Sequence, residues 1–147
     1  MRKIYTDGAC SGNPGEGGWG IVIVEDGTVS KVAGGYNSDT TNNRMELQAA
    51  IRALEFAQNW DEFEIHTDSK YVRNGITKWI KTWKENGWQT SSKNDVKNKD
   101  LWKELDELNN EKVEWYYVPG HSGVKMNEIA DDIATNIIEY NQEDKDE

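Results

Sequence analysis

Apolar and polar positions along this chain predict five strands and four helices. Lys3 to Asp7 is a β-rich run that ends on a lone carboxylate. Gly, Ser, Asn and Pro follow from Gly8 to Gly15 and read as a tight loop with exposed backbone. Trp19 to Val24 is almost continuously apolar, as a strand buried on both faces requires. Asp26-Gly27 then marks a hairpin, and Thr28 to Tyr36 returns as the third strand of an antiparallel meander. Arg44 to Asn59 places Leu47, Ile51 and Leu54 on one helix face, behind a run of capping residues from Ser38 to Asn43. Phe63 to Asp68 alternates, with Phe63, Ile65 and Thr67 on one side and Glu64, His66 and Asp68 on the other. Lys70 to Asn86 reads as a helix interrupted at Asn74-Gly75, and Lys99 to Asn110 as a helix with Leu101, Leu105 and Leu108 aligned. Val113 to Val118 is the fifth strand, stopped by Pro119-Gly120, and the last helix carries Ile129, Ile133 and Ile137 as its apolar stripe.

This order, three meandering strands and then strands alternating with helices, predicts an α/β fold with a five-stranded mixed sheet and helices on both faces. The chain of 147 residues suits one domain over 1–140, with 141–147 as an acidic C-terminal tail. Seven Trp and six Tyr supply core mass despite a hydrophobic fraction of only 35%. Cys10 is the one cysteine, which excludes an internal disulfide framework. No apolar run approaches the roughly 18 residues of a membrane span, and the N-terminal residues lead directly into a strand. A cytoplasmic protein without membrane contact, working as a monomer, is the expectation.

The net charge of −10 argues against nucleic-acid binding by bulk electrostatics, but the charge is unevenly placed. Between Ile76 and Asp100 six lysines face three acids, among Trp79, Trp83 and Trp88. From Glu139 to Glu147 five acids face Lys145 alone. The Trp and Lys stretch reads either as a nucleic-acid surface or as core rings beside solvated lysines.

Four carboxylates, Asp7, Glu46, Asp68 and Asp131, come from two strand ends and two helices that such a sheet can bring to one edge. Magnesium takes oxygen ligands, and two such ions about 4 Å apart can activate a water and stabilise a departing phosphodiester oxygen. Each carboxylate also has a plainer reading: Asp7 as a hairpin turn residue, Glu46 as the end of a capping box with Asn43, Asp68 as a helix N-cap, and Asp131 as a solvent-facing residue opposite the isoleucine stripe. His121, in a Gly-flanked loop, titrates near neutrality and can move protons.

Four segments in order, Thr6 to Gly15, Thr40 to Leu47, Thr67 to Ser69 and Pro119 to Gly123 with Asn127 and Asp131 following, resemble the type 1 ribonuclease H family over essentially Ile4 to Ile138. The resemblance implies an endonuclease that cuts the RNA strand of RNA/DNA hybrids without strong sequence preference, leaving 5'-phosphate and 3'-hydroxyl ends. It implies two Mg²⁺ ions, with Mn²⁺ as a substitute, held by Asp7, Glu46, Asp68 and Asp131, and a catalytic role for His121. Asn13, Asn42 and Asn43, with the backbone around Cys10, Ser11 and Gly12, correspond to minor-groove contacts, Thr41 to a DNA-phosphate contact, and the segment around Trp79 to a basic protrusion that holds the DNA strand. Asn127 joins the implied substrate contacts. The sequence departs from the family pattern in its modestly basic protrusion and in Lys70, where a neutral side chain such as Gln is expected after Thr-Asp-Ser.

Overall fold

A computed structural model describes residues 1–119 and 124–146, with side chains through Gln142. The strands are β1 (Arg2–Cys10), β2 (Gly15–Glu25), β3 (Thr28–Thr40), β4 (Phe63–Thr67) and β5 (Val113–Tyr117). They form a sheet in the order β3-β2-β1-β4-β5, antiparallel from β3 to β1 and parallel from β1 through β4 to β5. The helices are α1 (Asn42–Phe56), α2 (Lys70–Asn74), α3 (Ile80–Glu85), α4 (Lys99–Leu108) and α5 (Lys125–Asp146). Among the described residues no helix is long and apolar enough to cross a membrane.

Strand alternation divides the core between the two faces. Ile4, Ile21, Ile23, Phe63 and Ile65 pack with Leu47, Ile51 and Leu54 of α1 and with Trp102 and Leu105 of α4. Val22 and Val24 face the other way, against Ala130, Met126, Ile129 and Ile133 of α5. Because α1 and α5 lie on opposite faces of one sheet, both can lean side chains over the same sheet edge.

One expectation is refined and another changes. The α-helix after β4 is interrupted at Asn74-Gly75, but by one π-helical turn, Gly75–Trp79, that leads α2 into α3. Gly75 is present there for space, since a Cβ would fall inside the ring of the fully buried Trp102. In α5 the innermost line is Asn127, Ala130, Ala134 and Ile138, while Ile129, Ile133 and Ile137 are half-buried at its side. Gly20 and Gly18 explain the displaced face, because a Cβ on either would strike the Ala130 or Ala134 carbonyl. Backbone against small residues lets α5 approach the sheet closely, and Asp131 lies on the flank of this seam, not opposite it. The acidic segment from 141 onward continues α5 as far as Asp146, and Gln142 Nε2 donates to Glu16 Oε2 at 3.0 Å.

Candidate active site

Asp7 and Asp68 reach one place because β1 and β4 are parallel and in register. Their last pair is Thr6 with Thr67, so each aspartate is the next residue along. Adjacent parallel strands lie about 5 Å apart and residues in register share a face, which sets the two carboxylates side by side. β1 continues to Cys10, so Asp7 is paired with Gly20 and lies inside the hairpin instead of at its turn. Ser69, not Asp68, caps α2: its hydroxyl accepts the Val72 N–H at 3.1 Å. That leaves Asp68 free.

Glu46 arrives from α1. The cap of α1 is Thr41, whose hydroxyl accepts the Arg44 N–H at 3.2 Å, so no capping box engages Glu46. Its Oε1 accepts the Gly8 N–H at 2.6 Å, and the same N–H lies 2.8 Å from Asp7 Oδ1. Gly8 is required at this crossing, since a Cβ would overlap the α1 backbone at Met45 and Glu46. The sequence reading passed over this role, because a Gly after Asp also signals a turn.

One oxygen from each of Asp7, Glu46 and Asp68 lies within 4.8 Å of the others. Asp7 and Glu46 are each only 4% exposed, and Glu46 Oε2 is buried without a hydrogen-bond partner among the described residues. Burial pushes Asp7 up to about 8 despite a hydrogen bond with Glu46 that lowers it, and the Asp68 and Asp131 carboxylates push it further. Burial, and then the hydrogen bond with Asp7, also raise Glu46 well above the carboxylate range. A divalent cation fits this donor set: hard oxygens converge, one buried oxygen has no partner among the described residues, and negative charge is crowded.

The cluster floors an open cleft of about 530 Å³ whose lining includes Cys10, Asn42, Asn43, Lys70 and Asp131. The α5 seam thus brings Asp131 to the three other carboxylates, where it adds to the charge on Asp7. Ser11, Gly12 and Asn13 are exposed in the β1–β2 loop beside the cleft. Asn13 Oδ1 accepts the Asn42 N–H at 3.2 Å, tying that loop to the start of α1. Cys10 Sγ donates to the Thr40 carbonyl at 3.4 Å, and its thiol is pushed up by burial.

Two expected substrate contacts are placed differently. Asn127 is buried, 4% exposed, and is not among the residues lining the cleft; its Oδ1 is unpartnered among the described residues. Trp79 is half-buried and packs on Tyr71 and Trp83, and Trp83 packs on Trp102 and Trp88. The rings are the protrusion's own core, while Lys78, Lys81, Lys84, Lys93 and Lys97 are exposed. His121 lies outside the described residues.

A family model for RNase H matches residues 2–139. The chain belongs to the ribonuclease H family. It is 54% identical over 135 residues to the Ribonuclease H of Francisella tularensis subsp. novicida (strain U112), covering 91% of this chain and 88% of that one. Among solved structures, LC9-RNase H1, described as a type 1 RNase H with the type 2 active-site motif, superposes with a TM-score of 0.77 at 31% identity, covering 93% of this ribonuclease H chain and 71% of the other. RNase H1 from the halophilic archaeon Halobacterium salinarum NRC-1 superposes with a TM-score of 0.69 at 30% identity, covering 92% and 95% of the two chains.

Proposed function

We propose that this ribonuclease H hydrolyses the RNA strand of RNA/DNA hybrids endonucleolytically, with Asp7, Glu46, Asp68 and Asp131 holding two divalent ions, Mg²⁺ or in its place Mn²⁺. The observation that carries the reading is the meeting of three carboxylate oxygens within 4.8 Å, one of their groups with a buried unpartnered oxygen, in an open polar cleft. When bound, the ions supply a water made more acidic and charge stabilisation for the departing oxygen. Hydrolysis would break the P–O3' bond, with water supplying the hydroxyl on phosphorus and a proton going to O3', which gives the 5'-phosphate and 3'-hydroxyl ends.

The chain's residues prepare the site for this reaction. Gly8 N–H fixes Glu46 Oε1, so the other carboxylate oxygen remains available inside the cleft. Asn42 and Asn43 line the cleft wall and offer short amides to groove edges and 2'-hydroxyls, the groups that distinguish RNA from DNA. Asn13 fixes the neighbouring loop against the start of α1, which carries the backbone of Ser11 and Gly12 to the same groove. Thr41 spends an acceptor lone pair on its cap, leaving its O–H to donate to a DNA phosphate. His121 is assigned to proton movement at the departing oxygen.

The test offers RNA/DNA, RNA/RNA and DNA/DNA duplexes of matched sequence, with Mg²⁺ and with chelator, following both strands. Metal-dependent cutting confined to the hybrid's RNA is the expected result. Equal cutting of the all-DNA duplex, or hybrid binding without any product, would refute the reading.

A further inference from the structure

We infer that Lys70 is a substrate-binding residue that grips a backbone phosphate of the hybrid at the carboxylate end of the cleft. The inference rests on the hybrid-cleaving reading above and adds a contact to it.

Among the described residues that line the cleft, Lys70 is the one cation, and it shares that lining with Asp7, Glu46, Asp68 and Asp131. Charge balance shows why a cation is needed there. Four carboxylates and two divalent ions cancel, which leaves the single negative charge of an incoming phosphodiester uncovered. One ammonium covers it.

The ammonium is available for that task. Lys70 is exposed and forms none of the ion pairs found among the described residues, whereas Lys84 and Lys99 of the protrusion pair with Asp106 and Asp95. Its footing is also fixed. Ser69 caps the turn that begins at Lys70. The next residue, Tyr71, has its hydroxyl held by Asn98 Nδ2 at 3.0 Å and Trp102 Nε1 at 2.9 Å. A lysine on an anchored turn is confined to the cleft mouth, where a compact, flexible ammonium suits a phosphate approached from several directions.

The experiment measures hybrid binding with chelator present over a series of salt concentrations for the wild type, Lys70→Gln, Lys70→Arg and Lys112→Gln. Lys112 sits by a separate hollow lined by Met1, Asp61, Glu62 and Glu111 and controls for general loss of charge. Loss of one phosphate contact predicts that Lys70→Gln lowers the slope of log affinity against log salt by about 0.7–0.9 and weakens binding roughly 5- to 10-fold at low salt. Lys70→Arg keeps the wild-type slope, and so does Lys112→Gln. In Mg²⁺, Lys70→Gln raises KM by a similar factor and leaves kcat within about twofold, as removal of a uniform binding contact requires. An unchanged slope in Lys70→Gln overturns the assignment. So does tighter divalent-ion binding with hybrid affinity unaltered, which would make Lys70 a counter-ion of the carboxylates. A wild type that neither binds nor cuts hybrid would instead bring down the functional reading itself.

Discussion

Replacing Asp7 by Asn separates the demands of activity from those of folding. Without a divalent ion, burial and neighbouring charge raise Asp7 from its ordinary 3.8 to about 8. Between those two values the folded protein holds a proton that the unfolded chain has released. Stability therefore falls as pH rises through that window. At 1.36 kcal/mol per pH unit, the interval from the unfolded value to neutrality corresponds to a burden of about 4 kcal/mol, reduced to roughly 2–4 by counter-ions and movement of the half-buried Asp68. Asn removes this burden and retains the acceptor for the Gly8 N–H, 2.8 Å away. For a domain of this size each kcal/mol shifts Tm by about 2–4 °C, so Asp7→Asn melts about 4–16 °C higher than wild type at neutral pH in chelator. The gain becomes small near pH 4, just above the unfolded value of 3.8, and vanishes once pH is low enough to protonate the side chain in both states. Mg²⁺ reverses the order of benefit: it stabilises the wild type by mass action and the variant less, because one charged ligand is gone. Cleavage is lost in the variant. Thermal melts from pH 4 to 8, with and without Mg²⁺, read these quantities. A variant no more stable than wild type in chelator, or a gain independent of pH, would refute the account of a crowded, uncompensated carboxylate.

Other perturbations probe the same construction. Apparent affinity for the divalent ion rises with pH up to about 8, because binding must displace the Asp7 proton; titration calorimetry at three pH values checks this. Gly20→Ala sets a Cβ 2.5 Å from the Ala130 carbonyl and costs about 1–3 kcal/mol, read by denaturant melts. Because Asp131 follows Ala130, cleavage by that variant falls by more than its folded fraction does. Tyr71→Phe leaves the Asn98 amide and the Trp102 indole N–H without their acceptor and costs about 1–3 kcal/mol, while the carboxylate cluster and Mg²⁺ affinity are unchanged.

The legible parts of this chain are those that depend on local periodicity. Alternation in β4 separated Phe63, Ile65 and Thr67 from Glu64, His66 and Asp68, and the burial of the strand follows that division. The repeated Thr-Asp was also readable, although only the second ends its strand, since β1 runs on to Cys10; parallel register turns the repeat into adjacency of Asp7 and Asp68. The fold class, a mixed sheet with an antiparallel meander and two parallel strands, followed from element order, and the sheet has that form with β4 and β5 parallel to β1. Periodicity failed where packing depends on what is missing from a side chain. An apolar-moment reading of α5 favours Ile129, Ile133 and Ile137, yet the closest approach to the sheet belongs to Ala130 and Ala134 over Gly20 and Gly18. Such contacts are made by backbone, which a hydropathy pattern does not weigh.

That same seam makes the site an outcome of the whole fold. Asp131 projects from the flank of a helix whose distance from the sheet is fixed by two glycines of β2, and Glu46 projects from the opposite face past Gly8 of β1. A methyl group at Gly8, Gly18 or Gly20 would therefore displace a helix that carries a carboxylate. The four carboxylates come from two helices and two strand segments packed closely together, and the Gly8 N–H joins two of them, Asp7 and Glu46. Convergence of negative charge costs folding energy, and only a packed frame of this kind can hold it together before an ion arrives. Gly8, Gly18 and Gly20 thus help to set where the carboxylates meet, although none of them offers a side chain to the cluster.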